Sequence, residues 1–264
     1  MSNKQRYKFH YDKINKYRTA ISNCKKCKGD GLIPTGRMID NITMELENCE
    51  CKIKFLNIKK MILSGFPKRE LGINFSSAKS KKVTATNTLN DEDVFMYKSI
   101  IRPYIKHFSE AKKDGLGLMF FGTPGNGKTT ASLYIVSKLI KLNIDCYYIY
   151  FKDLISTLID GYSDEEKSLL FKEIIDVDFL VVDELSLVGR VTPHMIAEFN
   201  SICKQRFSNE KPTLMISNYE TTDEIFHNFG KPLESLMNEA FAPFKFMSKD
   251  MREDKVEKMK RFFE

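Results

Sequence analysis

Gly122-Thr123-Pro124-Gly125-Asn126-Gly127-Lys128-Thr129 sets three glycines, a lysine and a threonine at the spacing G-x-x-x-x-G-K-[ST]. Gly122, Gly125 and Gly127 permit backbone angles and a close approach that a side chain blocks. A turn of this kind is suited to gripping a polyphosphate. Leu118–Phe121 before it read as a buried strand and Thr130–Leu142 after it as an amphipathic helix. A strand feeding such a turn and then a helix aims several backbone N–H groups and the positive end of the helix dipole at one point. Lys128 is expected to reach the β- and γ-phosphates, and the Thr129 hydroxyl to ligate magnesium. The expected phosphate cradle runs from Gly122 through Thr123, Pro124, Gly125, Asn126, Gly127, Lys128 and Thr129 to Thr130, with a polyphosphate and Mg²⁺ as its ligands.

A second constellation follows. Asp178-Phe179-Leu180-Val181-Val182-Asp183-Glu184 is an apolar run ending in two carboxylates. Phe179–Val182 read as a central parallel strand covered on both faces. Ligands of open α/β sheets bind at the carboxyl ends of strands, where Asp183 and Glu184 fall. The run resembles the Walker B element of P-loop ATPases. That likeness implies that Asp183 holds the magnesium, through water, and that Glu184 polarises the attacking water.

The third constellation is sulfur. Cys24-Lys25-Lys26-Cys27 and Cys49-Glu50-Cys51 form C-x-x-C and C-x-C pairs joined by residues 28–48, taken as an intervening loop. Two thiol pairs of this kind make a tetrahedral Cys₄ zinc site, and Gly29 and Gly31 favour the tight turn of a metal knuckle. Cys146 and Cys203 lie alone in apolar contexts and read as core residues.

These residues must be held by elements. Lys52–Leu63 reads as a helix ended by Ser64-Gly65-Phe66-Pro67. Residues 76–90, rich in Lys, Ser, Thr and Asn, read as a linker. Asn90 is placed to cap a helix whose first turn carries Asp91, Glu92 and Asp93, with Val94, Tyr97, Ile101, Tyr104, Ile105 and Phe108 on one face. From Gly115 the pattern alternates: strands at 118–121, 146–150, 179–182, 213–217 and 243–247, and helices near 130–142, 152–160, 164–175, 193–207 and from about 222. Alternation of this kind predicts a parallel sheet covered on both sides. The domains expected are a basic unit at 1–75, the linker at 76–90, and a nucleotide-binding domain at 91–264.

The chain has 264 residues, 42% of them hydrophobic, enough for an ordinary globular core. No apolar run approaches the roughly 18 residues of a membrane span. No apolar signal core follows the N-terminus, so a cytoplasmic location and no membrane partner are expected, and the cysteines read as thiols or metal ligands. The net charge of +7 is uneven: residues 1–82 carry 19 basic against 7 acidic residues, net +12, and the remainder is net −5. Such asymmetry points to nucleic acid or an acidic protein surface as partner of the first part. There Tyr7, Phe9, Tyr11 and Tyr17 alternate with Lys4, Arg6, Lys8, Lys13, Lys16 and Arg18. That pattern suits stacking on single-stranded bases and docking on a partner protein equally well.

Thr213-Leu214-Met215-Ile216 ending in Ser217-Asn218 resembles sensor 1 of the AAA+ ATPases, which implies that Asn218 orients the lytic water. Lys128, Glu184 and Asn218 are therefore the expected catalytic residues. The layout over about residues 20–252 resembles the DnaC/DnaI-type helicase loaders, the branch that includes the IstB transposition helpers. The cysteine pairs with Gly29-Asp30-Gly31, the Gly65-Phe66-Pro67-Lys68-Arg69 segment, the glycine loop, Asp183-Glu184 and Lys211-Pro212-Thr213 carry the likeness. It implies an α/β fold: a P-loop AAA+ core, its parallel sheet flanked by helices, without a C-terminal helical lid and preceded by a small zinc-binding domain. It further implies an ATPase, here expected to be weak or stimulated by a partner, a hexameric replicative helicase and single-stranded DNA as partners, and self-association in the ATP-bound state, while the chain's divergence points to an origin in a phage or another mobile element. One departure stands out. Where the family carries an arginine finger, this chain reads Gly230-Lys231-Pro232-Leu233-Glu234-Ser235-Leu236-Met237, with Leu236 in the arginine's place, leaving Lys231, Arg206 or Arg252 as substitutes. Two other readings share these residues: an IstB-like helper acting with a transposase, and a zinc-bearing nucleic-acid adaptor whose ATP site no longer turns over.

Overall fold

The computed structural model describes residues 22–39, 42–67, 84–87, 92–95, 97–159, 171–187 and 191–247. The aromatic–cation stretch at 4–18, most of the expected linker, part of the 164–175 helix, and Arg252 lie outside them. The chain divides into two compact units, Met1–Gly72 and Ile73–Glu264.

In the first unit the span between the cysteine pairs is not a loop. It forms an antiparallel hairpin of β1 (Leu32–Met38) and β2 (Met44–Asn48), with Leu32 opposite Asn48 and Met38 opposite Met44. The hairpin folds the second cysteine pair back onto the first, and Cys49 N–H donates to the Gly31 carbonyl at 2.9 Å. Cys49 is the N-cap of helix α1 (Glu50–Leu63), so Cys51 sits in its first turn. The helix stops at Ser64-Gly65, where Gly65 takes φ 75°.

The second unit is built on a seven-stranded sheet. Its strands are β3 (Thr84–Asn87), β4 (Glu92–Phe95), β5 (Gly117–Phe121), β6 (Cys146–Tyr150), β7 (Phe179–Asp183), β8 (Thr213–Ile216) and β9 (Phe241–Phe246), in the order β4-β3-β9-β5-β8-β7-β6. The five strands from β9 to β6 run parallel. β5, β7 and β8 are buried along their whole length, as strands covered on both faces must be. Between them run α4 (Lys128–Lys141), α5 (Phe151–Ile159), α6 (171–176), α7 (Pro193–Ser208), α8 (Thr222–Phe229) and α9 (Lys231–Ala240). Met119, Phe121, Leu180, Val182 and Met215 pack with Phe151, Phe199, Phe229 and Leu233 in one core cluster. Phe179 meets Tyr104 and Phe108 instead.

Two expectations are corrected here. Residues 84–87, assigned to the linker, form β3, which adds antiparallel to β9 and pairs Ala85 with Phe246. The helix expected from Asn90 does not start there, because residues 92–95 return along β3 as β4. A π-helical turn at Tyr97–Ile101 then leads to α2 (Arg102–Lys106) and α3 (Phe108–Lys113). Pro103 supplies no N–H to an incoming helix, so the helix begins afresh around it. Ile101 and Phe108 are buried as the helical spacing required.

Arg206 on α7 is fully buried. Its Nη1 donates to the carbonyls of Ile174 (2.6 Å), Ile175 (3.1 Å) and Val177 (3.0 Å). Its Nη2 donates to Pro212 (2.9 Å) and its Nε to Thr213 Oγ1 (2.9 Å). Burial lowers the guanidinium to about 10, which still leaves it charged at neutral pH. A group so engaged cannot reach a phosphate, so Arg206 is withdrawn as a substitute for the finger; its work is to splice the end of α6 to the start of β8. Arg206→Ala should cost about 3–5 kcal/mol, because buried carbonyls lose a charged donor. Urea unfolding will show it as a lower midpoint at unchanged slope, and an unshifted midpoint would contradict the role.

Candidate nucleotide site and cysteine cluster

The turn after β5 takes the left-handed angles its glycines allow: φ 116° at Gly122, 84° at Gly125 and 95° at Gly127. At Gly122 a Cβ would stand 2.7 Å from the Phe246 carbonyl oxygen, so no other residue fits. Gly127 is the N-cap of α4, and no side chain caps that helix. The first N–H groups of a helix have no intrahelical acceptor, and with no side-chain cap they are placed to receive an anion. Lys128 is buried and folds back over the turn. Its Nζ donates to the Gly122 carbonyl at 2.6 Å, the Thr123 carbonyl at 2.7 Å and Asn126 Oδ1 at 3.1 Å.

The carboxyl end of β7 meets this loop. Thr129 Oγ1 donates to Asp183 Oδ2 at 2.8 Å, and Glu184 N–H donates to Asp183 Oδ1 at 2.7 Å. Tyr148, buried on β6, donates its hydroxyl to the same Oδ2 as Thr129. Burial pushes the Asp183 carboxyl up, while Tyr148, Thr129, the Glu184 amide and the Lys128 charge pull it back. The Tyr148 phenol is driven far above its ordinary range, first by burial and then by the Asp183 charge, so it stays a donor. Glu184 is exposed at φ 57°. A left-handed angle at a non-glycine residue marks a tight reversal at the strand end.

The residue after β8 is held just as firmly. Ser217, buried, donates Oγ to the Leu185 carbonyl at 2.8 Å, and its N–H donates to the Phe120 carbonyl at 2.9 Å. Asn218 is the exposed residue beyond it. Since β8 lies between β5 and β7, Asn218 sits on the same edge of the sheet as the loop and the carboxylates. Tyr219 closes the group: its carbonyl accepts from Gly122 N–H at 2.8 Å and its hydroxyl from Leu187 N–H at 3.3 Å. Neither Tyr148 nor Tyr219 was singled out from the sequence. Leu236, in the finger's place, is buried in the core, and Lys231 is exposed at the first position of α9.

Strand order, loop and acidic strand end together decide the architecture. The second unit is an α/β P-loop AAA+ core. Its phosphate loop follows the strand β5, its paired carboxylates end β7, and a polar residue follows the intervening β8, while β3 and β4 extend the sheet beyond β9. An uncapped helix start, a buried lysine and two hard oxygen donors at hydrogen-bond distance fit a nucleotide polyphosphate with its magnesium.

The four cysteines of the first unit converge. Their sulfurs lie within 4.8 Å of one another, with Cys24 to Cys49 at 3.9 Å and Cys27 to Cys51 at 3.5 Å. A tetrahedron with Zn–S bonds of about 2.3 Å has edges of about 3.8 Å. Backbone N–H groups of Cys27 and Lys26 pull the Cys24 thiol down to about 6, and Gly31 N–H donates to Cys27 Sγ at 3.2 Å. Burial and the neighbouring sulfurs push Cys51 up to about 12. Four sulfurs this close cannot all ionise without a cation between them, and a divalent metal removes that obstacle. The C-x-C spacing is accommodated by a helix start, where Cys49 caps and Cys51 follows in the first turn.

No protein-family model matches the chain, and a comparison with curated proteins finds no match. Solved structures do match. The DnaC helicase loader is 25% identical over 56% of this chain and 86% of that one, with a TM-score of 0.49. DnaI is 22% identical over 56% and 84%, at 0.44. A primosome component from Streptococcus pyogenes serotype M3, described as putative, is 19% identical over 58% and 78%, at 0.46.

Proposed function

We propose that this chain is an ATP-dependent loader of a hexameric replicative helicase. The observation that carries the ATP part is the junction of the two strand ends, where Lys128 lies in the loop and Thr129 reaches Asp183. On this reading, Lys128 exchanges its loop carbonyls for the β- and γ-phosphates. Thr129 and Asp183 hold the magnesium, which screens phosphate charge. The amides of residues 125–130 receive the polyphosphate. Glu184 takes the proton from the attacking water, and Asn218 orients that water. Tyr148 keeps Asp183 fixed on its other side.

The loader part is supported by the basic, cysteine-bearing first unit ahead of such a core. That unit, with zinc in its Cys₄ cluster, docks on the helicase, and single-stranded DNA is the second ligand. ATP acts as a switch, the γ-phosphate holding one arrangement and hydrolysis releasing it. With Leu236 in the core and Arg206 engaged elsewhere, the finger's cation comes from Lys231 of a second copy, from Arg252, or from a partner. Self-association in the ATP-bound state follows.

Glu184→Gln should keep ATP binding and lower turnover about 10²- to 10⁴-fold, the usual worth of a positioned general base. Steady-state phosphate release measured beside nucleotide affinity tests it, and unchanged turnover would remove Glu184 from that role. Affinity purification from the native host tests the loader reading. A hexameric helicase retained in an ATP-dependent manner is expected, and recovery of a transposase instead would favour the IstB-like alternative.

A further inference from the structure

Asn126 is a side chain of the phosphate loop that chemistry on the nucleotide does not call for. It is fully buried. Its Oδ1 accepts from Lys128 Nζ at 3.1 Å, and its Nδ2 donates to the carbonyl of Phe246, the last residue of β9, at 3.0 Å. An ammonium is only a donor and a carbonyl only an acceptor, so the amide has one orientation here. The same carbonyl packs against Gly122 so closely that a Cβ there would collide with it. Phe246 in turn pairs with Ala85 of β3, the first described strand of the second unit.

We infer that Asn126 is a positioning residue that transmits the state of the phosphate loop to the β9–β3 strand pair. The inference rests on the reading of this loop as an ATP site. While Lys128 lies on Asn126 Oδ1, its charge polarises the amide and strengthens the bond to Phe246, as linked hydrogen bonds do. When Lys128 moves to a phosphate, Oδ1 loses that donor and the tie to Phe246 weakens. The end of β9, and β3 with it, is then held less firmly. Loading of the loop is thereby felt at the end of β9, 120 residues away from Asn126 in sequence.

Hydrogen–deuterium exchange of the full chain, with and without a non-hydrolysable ATP analogue and magnesium, tests this. In the unaltered chain the analogue should speed exchange at residues 245–246 and 85–87 about two- to five-fold, while exchange of the phosphate loop slows. Asn126→Ala should show fast exchange at β9 and β3 without nucleotide and no further change with it. Asn126→Asp keeps an acceptor for Lys128 but cannot donate to Phe246, so it too should show fast, nucleotide-independent exchange there. If the unaltered chain binds the analogue and β9 and β3 do not respond, the coupling is wrong although the ATP site stands. If Asn126→Ala keeps the full response, Asn126 is not the link. If the unaltered chain binds no nucleotide, the ATP reading itself falls, and the coupling with it.

Discussion

Lys128→Ala should abolish ATP binding at micromolar concentrations and leave the chain folded. The ammonium is the one side-chain charge buried in the turn, and its present partners are two loop carbonyls and Asn126. A phosphate oxygen offers it a full negative charge instead. Hydrogen bonds with a charged partner are worth about 1.5–3 kcal/mol each. Two of them, one to each terminal phosphate, make the loss about 3–6 kcal/mol, or roughly 10²- to 10⁴-fold in affinity. The core bears none of this, because Leu133, Val136 and Leu139 on the same helix keep their packing. The loop acceptors left without Lys128 cost about 1–3 kcal/mol, so the thermal midpoint should fall by about 2–4 °C for each kcal/mol lost while the chain stays folded. Titration with a fluorescent ATP analogue, beside a melting curve, separates loss of binding from loss of fold. Tight binding by a folded Lys128→Ala chain would show that nucleotide is held elsewhere.

The sequence made the core and the site legible to different depths. Strands at 118–121, 146–150 and 179–182 stood out because buried parallel strands are apolar throughout, and each was bounded by glycine, proline or charge. The structure places them at Gly117–Phe121, Cys146–Tyr150 and Phe179–Asp183. The phosphate loop, the carboxylate pair and the cysteine pairs were legible because their chemistry fixes both residue type and spacing. What stayed hidden has no such pattern. β3 and β4 are short, polar strands that exist only because β9 offers an open edge. The hairpin at 32–48 carries exposed apolar residues, Met38, Met44 and Leu46, beside polar Thr35, Arg37, Glu45 and Glu47. Short and broken by Gly36, it read as a loop. Tyr148, Asn126 and Arg206 act through contacts 35, 120 and about 30 residues distant. A lone sequence registers them only as a tyrosine in a strand, a filler in a motif and a cation on a helix. The missing finger was legible as a leucine at 236; that Arg206 could not replace it was not, since its burial depends on carbonyls at 174–177.

The purified protein should carry one zinc per chain, and its removal should unfold the first unit alone. Among the described residues of that unit, Cys27, Cys49, Ile62 and Phe66 are the buried hydrophobic ones, and two of these are the proposed ligands. A unit so small has too little apolar surface to offset the entropy of ordering its chain. Structural zinc contributes about 10–16 kcal/mol in comparable sites at neutral pH, and that contribution is folding energy. Cys27→Ser, or a zinc-selective chelator with magnesium kept in excess, should therefore abolish protection of residues 22–67 from proteolysis. The second unit has its own sheet and its own core cluster. Its ATP affinity should stay within about two-fold, since sites that share no partners act independently. Elemental analysis, limited proteolysis and nucleotide titration on the same samples read the three quantities together. A zinc-free chain that still protects residues 22–67 would mean that hairpin and helix stand without the metal, and the converging sulfurs would then need another explanation. Loss of ATP binding on chelation would mean instead that the two units are one cooperative body, so that the metal supports the nucleotide site as well as the unit that carries it.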